Sequence, residues 1–145
     1  MRIMDRDEWL AFVSQGTRTG KLATVRKDGS PNVAPIWFLI EQTEDGDWIV
    51  FNTGADSAKA KALARDPRFS MCVDDERPPF AFVQLTAEAE LSDDLDGMLP
   101  WATAIGGRYM GEDQAESFGR RNAVAGELLV RGRITRVIAQ ADISA

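Results

Sequence analysis

The stretch GKLATVRKDGSPNVAPIWFLIE, Gly20–Glu41, decides the fold class of this chain. Two strand-like runs flank the turn residues Lys27–Ser30, and Asp-Gly between such runs is a strong signal for a β-hairpin. A second turn, Glu44–Asp47, precedes the apolar run Trp48–Asn52. The pattern therefore predicts three consecutive antiparallel strands.

The rest of the chain surrounds these strands with helices and further strands. We expect one helix capped by Asp5 and ended by Gly16, and a second from Asp56 or Ser57 to Asp66. Further strands are expected at Arg68–Val73, Phe80–Leu91 and Glu127–Ala139. Two helical pieces, 94–105 and 113–122, are expected before the last strand, with a break at Gly106-Gly107. This order predicts one mainly β domain, residues 1–145, with six antiparallel strands in a closed or nearly closed barrel and flanking helices. A small barrel is filled by its own side chains, so a ligand is expected at its rim or at a subunit boundary.

Charge and hydropathy exclude several classes of protein. The net charge of −6 and the pI near 4.7 argue against general affinity for nucleic acid or an anionic membrane. No apolar run approaches the ~20 residues of a membrane span. The first residues, MRIMDRDEWLAFV, carry acids where a signal peptide has a cationic start, so a cytoplasmic location is expected.

The chain contains no histidine and a single cysteine, Cys72. The absence of histidine excludes Ser-His and Cys-His catalysis and any histidine-ligated metal. An intrachain disulfide is excluded as well. If the protein is an enzyme, we expect its reactive group to come from a cofactor.

Two lysines stand at the start of the helix that follows the third strand. Lys59 falls in its first turn and Lys61 close behind, at the positive end of the helix dipole, where acidic residues are usual. Ser57 and Arg65 flank Lys61 at four-residue spacing, so no acidic partner supports it. Two interpretations stay open on these residues alone, solvated surface lysines or a local seat for a phosphate.

Several motifs in this order resemble the pyridoxamine 5'-phosphate oxidase-like, flavin-binding split-barrel family, with the closest likeness to its deazaflavin-dependent branch, which uses coenzyme F420. The resemblance covers residues 8–143 or so and is carried by GKLATVRKDGSP (Gly20–Pro31), PIWF (Pro35–Phe38), SAKAK (Ser57–Lys61), RDPR (Arg65–Arg68), GRYMG (Gly107–Gly111) and FGRRN (Phe118–Asn122).

The resemblance implies a fold of FMN-binding split-barrel type and a homodimer with cofactor sites at the subunit interface. It also implies which residues hold the cofactor. Ser57, Lys59 and Lys61 would lie near its phosphate, with Asn52 and Thr53 adjacent, and the strand of Pro35, Ile36 and Trp37 would lie along its ring. For Trp37, packing in the core or in a dimer is the alternative.

A late cluster supplies candidates for the substrate side of the site, namely Tyr109, Arg121 and Trp101. Arginines suit the glutamate tail of a deazaflavin, whereas surface ion pairs and ordinary packing are the alternatives for the cluster. Pyridoxamine phosphate oxidase activity itself is not expected, because histidine and the substrate-phosphate residues of that enzyme are missing. The haem-degrading branch is disfavoured for the same lack of histidine.

These inferences lead to a hypothesis for function. The protein is predicted to be a coenzyme F420-dependent oxidoreductase that transfers hydride between the deazaflavin and an unsaturated small organic substrate. Two alternatives stay open, an FMN-dependent oxidoreductase of the same fold and a non-catalytic protein that binds flavin or deazaflavin.

Overall fold

A computed structural model describes all residues, 1–145. Its eight strands and four helices follow the order β1 (Arg2–Ile3), α1 (Arg6–Val13), β2 (Gly20–Val25), β3 (Pro31–Ile36), β4 (Leu39–Thr43), β5 (Gly46–Gly54), α2 (Ala58–Arg65), β6 (Arg68–Asp75), β7 (Ala81–Ser92), α3 (Leu95–Met110), a 3-10 turn (Glu112–Gln114), α4 (Ala115–Asn122) and β8 (Glu127–Ala141). None of these helices is both long enough and apolar enough to cross a membrane.

All strands belong to one antiparallel sheet with the order β3-β2-β6-β7-β8-β5-β4, and β1 pairs with the end of β8. The mainly β, split-barrel fold class is thereby confirmed. The sheet is not closed, because its two edge strands, β3 and β4, do not pair with each other. The predicted hairpin is present, with Val25 opposite Pro31 and Gly29 at a φ of 87°, a left-handed value that glycine adopts without strain.

The predicted number of six strands is wrong, and the main reason lies at Trp37 and Phe38. The single strand expected through Glu41 is divided there, because β3 pairs with β2 whereas β4 pairs with β5. The backbone of Phe38 is bonded to side chains instead of a neighbouring strand. Its N–H donates to the Tyr109 hydroxyl at 3.2 Å, and its carbonyl accepts from Arg108 Nη1 at 2.7 Å. The short strand β1 is the other addition.

The core lies between the sheet and helices α1 and α2. Trp9, Leu10 and Val13 of α1 pack there with fully buried residues such as Phe38 at the β3–β4 junction and Phe51 of β5. Helix α1 begins with a capping box, in which the Asp5 carboxylate accepts from the Glu8 N–H at 2.9 Å. A second, smaller cluster of Val50, Met98 and Leu129 joins α3 to strands β5 and β8.

The expected break at Gly106-Gly107 is also wrong, since α3 continues through both glycines to Met110. The glycines serve helix packing. A Cβ at Gly106 would lie 2.6 Å from Cβ of Phe118, and one at Gly107 would lie 3.3 Å from Cβ of Ala115. Helix α4 can therefore lie directly against α3, which brings both helices to the rim of the sheet near the β3–β4 junction.

Candidate cofactor site

A cavity of about 260 Å³ opens where the end of β3, the end of β5 and the start of α2 meet α3, α4 and β8. Six of the eight residues predicted to bind a cofactor line it. The full lining is Pro35, Ile36, Trp37, Asn52, Thr53, Lys59, Ile105, Asn122 and Glu127.

Ser57 sets the position of Lys59 relative to this cavity. Its hydroxyl is the N-cap of α2 and accepts from the Ala60 N–H at 3.1 Å, which settles the capping residue in favour of Ser57 over Asp56. The same hydroxyl lies 3.0 Å from the Thr53 hydroxyl, so that the end of β5 and the start of α2 are tied together. Lys59 is half-buried on the cavity wall and forms no ion pair.

Lys61 is fully on the solvent side of α2 and does not line the cavity. Two residues correspond to a turn of about 200° around a helix, so the two lysines leave α2 in nearly opposite directions. Any contact of Lys61 or Ser57 with a phosphate stays a prediction.

Trp37 stands at the mouth of the cavity within a group of aromatic rings. The Tyr109 ring stacks on Trp37 at 5.1 Å with an angle of 4° between planes, and the Phe118 ring lies tilted at 6.0 Å. Trp37 still keeps 37% of its surface exposed. The arrangement holds the indole in a fixed orientation and leaves part of it for a flat ligand or a partner surface.

Tyr109 and its neighbour Arg108 hold the backbone beside the cavity. The Tyr109 hydroxyl donates to the Arg18 carbonyl at 2.8 Å, and burial raises its pKa, opposed by the bond to Phe38 and by the Arg108 charge. Arg108 donates to the carbonyls of Phe38 at 2.7 Å, Val13 at 2.8 Å and Gly16 at 2.9 Å. This pair of residues links α1 and the β3–β4 junction to the end of α3.

The remaining two substrate-side candidates lie in different places. The Arg121 guanidinium is exposed and lies 5.2 Å from the centroid of the Phe118 ring, which in turn contacts Trp37. Trp101 is outside this cavity: it packs on the cluster of Val50, Met98 and Leu129 and lines a separate cavity of about 320 Å³. The structure thus brings Tyr109 and Arg121 near the predicted ring-binding residues but not Trp101.

Three lining residues were not predicted as site residues. Asn122 is the last residue of the FGRRN motif, and its main-chain carbonyl accepts a hydrogen bond from the Asn52 side chain at 3.4 Å. Ile105 lies on α3, and Glu127 is the first residue of β8, opposite Gly54 of β5. Burial raises the Glu127 pKa, and the Lys59 charge acts in the opposite direction. Finding Glu127 from the sequence requires knowledge of the β5–β8 pairing, which no local pattern indicates.

A larger cavity of about 760 Å³ lies elsewhere, between α1, the β6–β7 loop and the C-terminal end. Its charged residues already pair with one another, as in Arg2–Glu8 at 2.5 Å and Arg77–Asp75 at 3.1 Å. None of the predicted site residues lines it. Size alone therefore does not make it the functional site, and the smaller cavity, with its unpaired Lys59, is the better candidate.

Comparison with protein families assigns the chain. The family model for pyridoxamine 5'-phosphate oxidase matches residues 6–137. The chain belongs to the pyridoxamine 5'-phosphate oxidase-like family. The match spans the hairpin, the SAKAK segment and most of β8, so it includes every lining residue of the cavity. No curated protein matches the chain in sequence.

Solved structures show how widely this family fold is used. A conserved hypothetical protein from Mycobacterium tuberculosis aligns with a TM-score of 0.82 and 25% identity over 98% of this chain and 88% of that one. An F420 reductase aligns at 0.68 and 23% over 88% and 94%. The haem storage protein HutZ from Vibrio cholerae aligns at 0.67 and 19% over 100% of both chains. The low identities show a shared fold and leave the ligand of this member open.

The residues at the cavity fit a flavin-type cofactor. Lys59 offers an unpaired ammonium for a phosphate, and Pro35 and Trp37 offer a flat, largely apolar wall for a ring. Asn52 and Asn122 add two amide residues to the same lining. The lining as a whole is mixed, with Ile36, Trp37 and Ile105 as its hydrophobic members, so it offers both an apolar surface and polar groups to a ligand.

Proposed function

We propose that this protein is a coenzyme F420-dependent oxidoreductase that transfers hydride between the deazaflavin and an unsaturated small organic substrate. The observation that carries the proposal is that the end of β3 with the adjoining Trp37, Pro35–Trp37, and an unpaired cation, Lys59, meet in one cavity. A planar ring with an anionic tail matches both ends of that site. When bound, the deazaflavin supplies the hydride chemistry.

The protein's own residues then have binding and orienting roles. Lys59 donates a charge-assisted hydrogen bond to the cofactor phosphate, while Ser57 and Thr53 hold the start of α2 in place. The strand end at Pro35–Trp37 lies along the ring, with Trp37 fixed by Tyr109. Arg121, exposed beside Phe118, is a suitable partner for carboxylates of a glutamate tail.

The proposal includes a homodimer in which a second copy completes the site. The cavity of about 260 Å³ lies below the roughly 300–1,000 Å³ usual for pockets that enclose a ligand of this size. Next to it, edge strand β3 and the residue that follows it expose apolar side chains, with Val33 67% and Trp37 37% exposed. A partner packed on these side chains would both cover them and extend the cavity.

Turnover tests the proposal directly. The protein is mixed with reduced coenzyme F420 and a panel of enones, quinones and tetrapyrroles, and cofactor oxidation is followed by absorbance. We expect oxidation that depends on the protein and on at least one acceptor. The Lys59→Ala variant provides the control for a reaction at this site and should lose most of the rate at a limiting cofactor concentration.

Two alternative functions, a non-catalytic binding protein and an FMN-dependent oxidoreductase, predict different observations. Cofactor binding without turnover of any acceptor would favour a non-catalytic binding protein. A purified protein that retains yellow FMN and does not bind the deazaflavin would favour an FMN-dependent oxidoreductase.

A further inference from the structure

Glu127 is a partly buried carboxylate that belongs neither to the hydrophobic core nor to any ion pair of the protein. Its Oε2 atom is buried and has no hydrogen-bond partner in the chain. The side chain lines the same cavity as Lys59, close to Gly54, where an added Cβ would lie 3.5 Å from Oε2. Buried polar atoms of native proteins nearly always have a partner, so a lone carboxylate oxygen at a cavity points to a role toward the ligand.

Lys59 and Glu127 are the only charged residues that line the cavity. Lys59 contributes one positive charge and Glu127, when ionised, one negative charge, and the other lining residues are neutral. The two groups form no ion pair within 4.0 Å, although the Lys59 charge influences the Glu127 pKa. Because Glu127 offsets Lys59, the cavity provides a weaker positive potential to an incoming anion than Lys59 alone would provide.

A weak potential discriminates between anions of different charge. The attraction of a site grows in proportion to the ligand charge, whereas the penalty for removing an ion from water grows with the square of that charge. A single negative charge can therefore enter a weakly positive site at small cost, but a double charge is poorly compensated.

We propose that Glu127 is a specificity-determining residue that makes the Lys59 end of the cavity select a phosphodiester, with one negative charge, over a phosphomonoester, with close to two. The inference rests on the proposed function for the position of the phosphate beside Lys59. The phosphate of coenzyme F420 is a diester, whereas FMN ends in a monoester. Glu127 thus acts on the choice between the two cofactors that the shared fold leaves open.

The test compares wild type with Glu127→Gln, which keeps the shape of the side chain and removes its charge. Dissociation constants are measured at pH 8 for FMN, for riboflavin, which lacks the phosphate, and for coenzyme F420. We expect the variant to bind FMN about tenfold more tightly, coenzyme F420 about threefold more tightly, and riboflavin unchanged, because the gain scales with the charge of the phosphate group beside Lys59, whereas the glutamate tail of coenzyme F420 lies outside this part of the cavity. The exposed Glu76→Gln supplies a control with the same change in net charge.

The outcomes are distinct. Unchanged FMN binding, or an equal gain for both cofactors, overturns the proposal. Weaker binding of both would make Glu127 a residue that positions Lys59, which also overturns it. If coenzyme F420 does not bind, the proposed function fails, whereas the ratio of riboflavin to FMN affinity still shows whether Glu127 acts against a phosphomonoester, and an unchanged ratio overturns the proposal. Equal thermal melting of variant and wild type confirms that the fold is intact.

Discussion

Replacing Lys59 with alanine is expected to weaken binding of coenzyme F420 by about 1.5–3 kcal/mol, the usual range for a hydrogen bond to a charged group. This corresponds to a loss of roughly 10- to 150-fold in affinity. The reason is that Lys59 is the one cation on the cavity wall and forms no ion pair within the chain. A fluorescence titration with the cofactor measures the effect.

Lys61→Ala is the matched control for this experiment. It removes the same charge from the same helix, but Lys61 is exposed and lies outside the cavity. Affinity should change by less than about threefold, as expected for a screened surface charge. Equal losses of cofactor affinity in both variants would mean that the helix acts through its overall charge. Unchanged cofactor affinity in Lys59→Ala would mean that Lys59 is a solvated surface lysine.

Replacing Arg108 with methionine is expected to destabilise the fold by about 3 kcal/mol, because a charged donor is lost from several main-chain carbonyls. Its guanidinium joins the carbonyls of Val13, the last residue of α1, and of Gly16 beyond it to that of Phe38 at the β3–β4 junction. A loss of this size lowers Tm by roughly 6–12 °C in a chain of this length. Thermal and urea denaturation both measure it.

Arg120→Met is the control for the lost arginine charge. Arg120 is exposed and makes only an i,i+4 ion pair with Glu116 at 3.1 Å, which contributes at most about 0.5 kcal/mol. A melting temperature for Arg108→Met that equals that of Arg120→Met would show that the three carbonyl contacts do not stabilise the junction. Retained stability in Arg108→Lys would point to charge alone, since a lysine cannot reach all three carbonyls.

Local patterns in the sequence were sufficient for much of the fold. The turn at Asp28-Gly29 set the first hairpin, Asp5 marked the start of α1, and the start of α2 was located to Asp56 or Ser57, of which Ser57 is the cap. These features depend on neighbouring residues only. The division of the strand at Trp37 and Phe38 depends instead on Arg108 and Tyr109, which are about 70 residues away along the chain, so no pattern within the strand could indicate it.

Helix α3 shows a second case in which the local sequence was not enough to predict the structure. Two consecutive glycines usually weaken a helix, and on that ground an end at Gly106 was predicted. In the structure their missing side chains allow α4 to approach α3, and the packing outweighs the low helix propensity. The choice between these two effects requires knowledge of what lies beside the helix.

The candidate site was predictable in its two local segments. The strand end Pro35–Trp37 and the helix start at Lys59 were both assigned to a cofactor from their resemblance to the family, and the structure brings them to one cavity. Trp101 could not be separated from the site by sequence, because its helix also contributes Ile105 to the cavity. Glu127 was missed because it enters only through long-range pairing of β8 with β5.

A side-by-side calorimetric titration of the purified protein with coenzyme F420 and with FMN tests the central claim most directly. We predict a dissociation constant in the micromolar range or below for coenzyme F420, one cofactor per chain, and binding of FMN that is weaker by at least about tenfold, or roughly 1.4 kcal/mol. Tight binding of FMN with no detectable binding of coenzyme F420 would contradict the account.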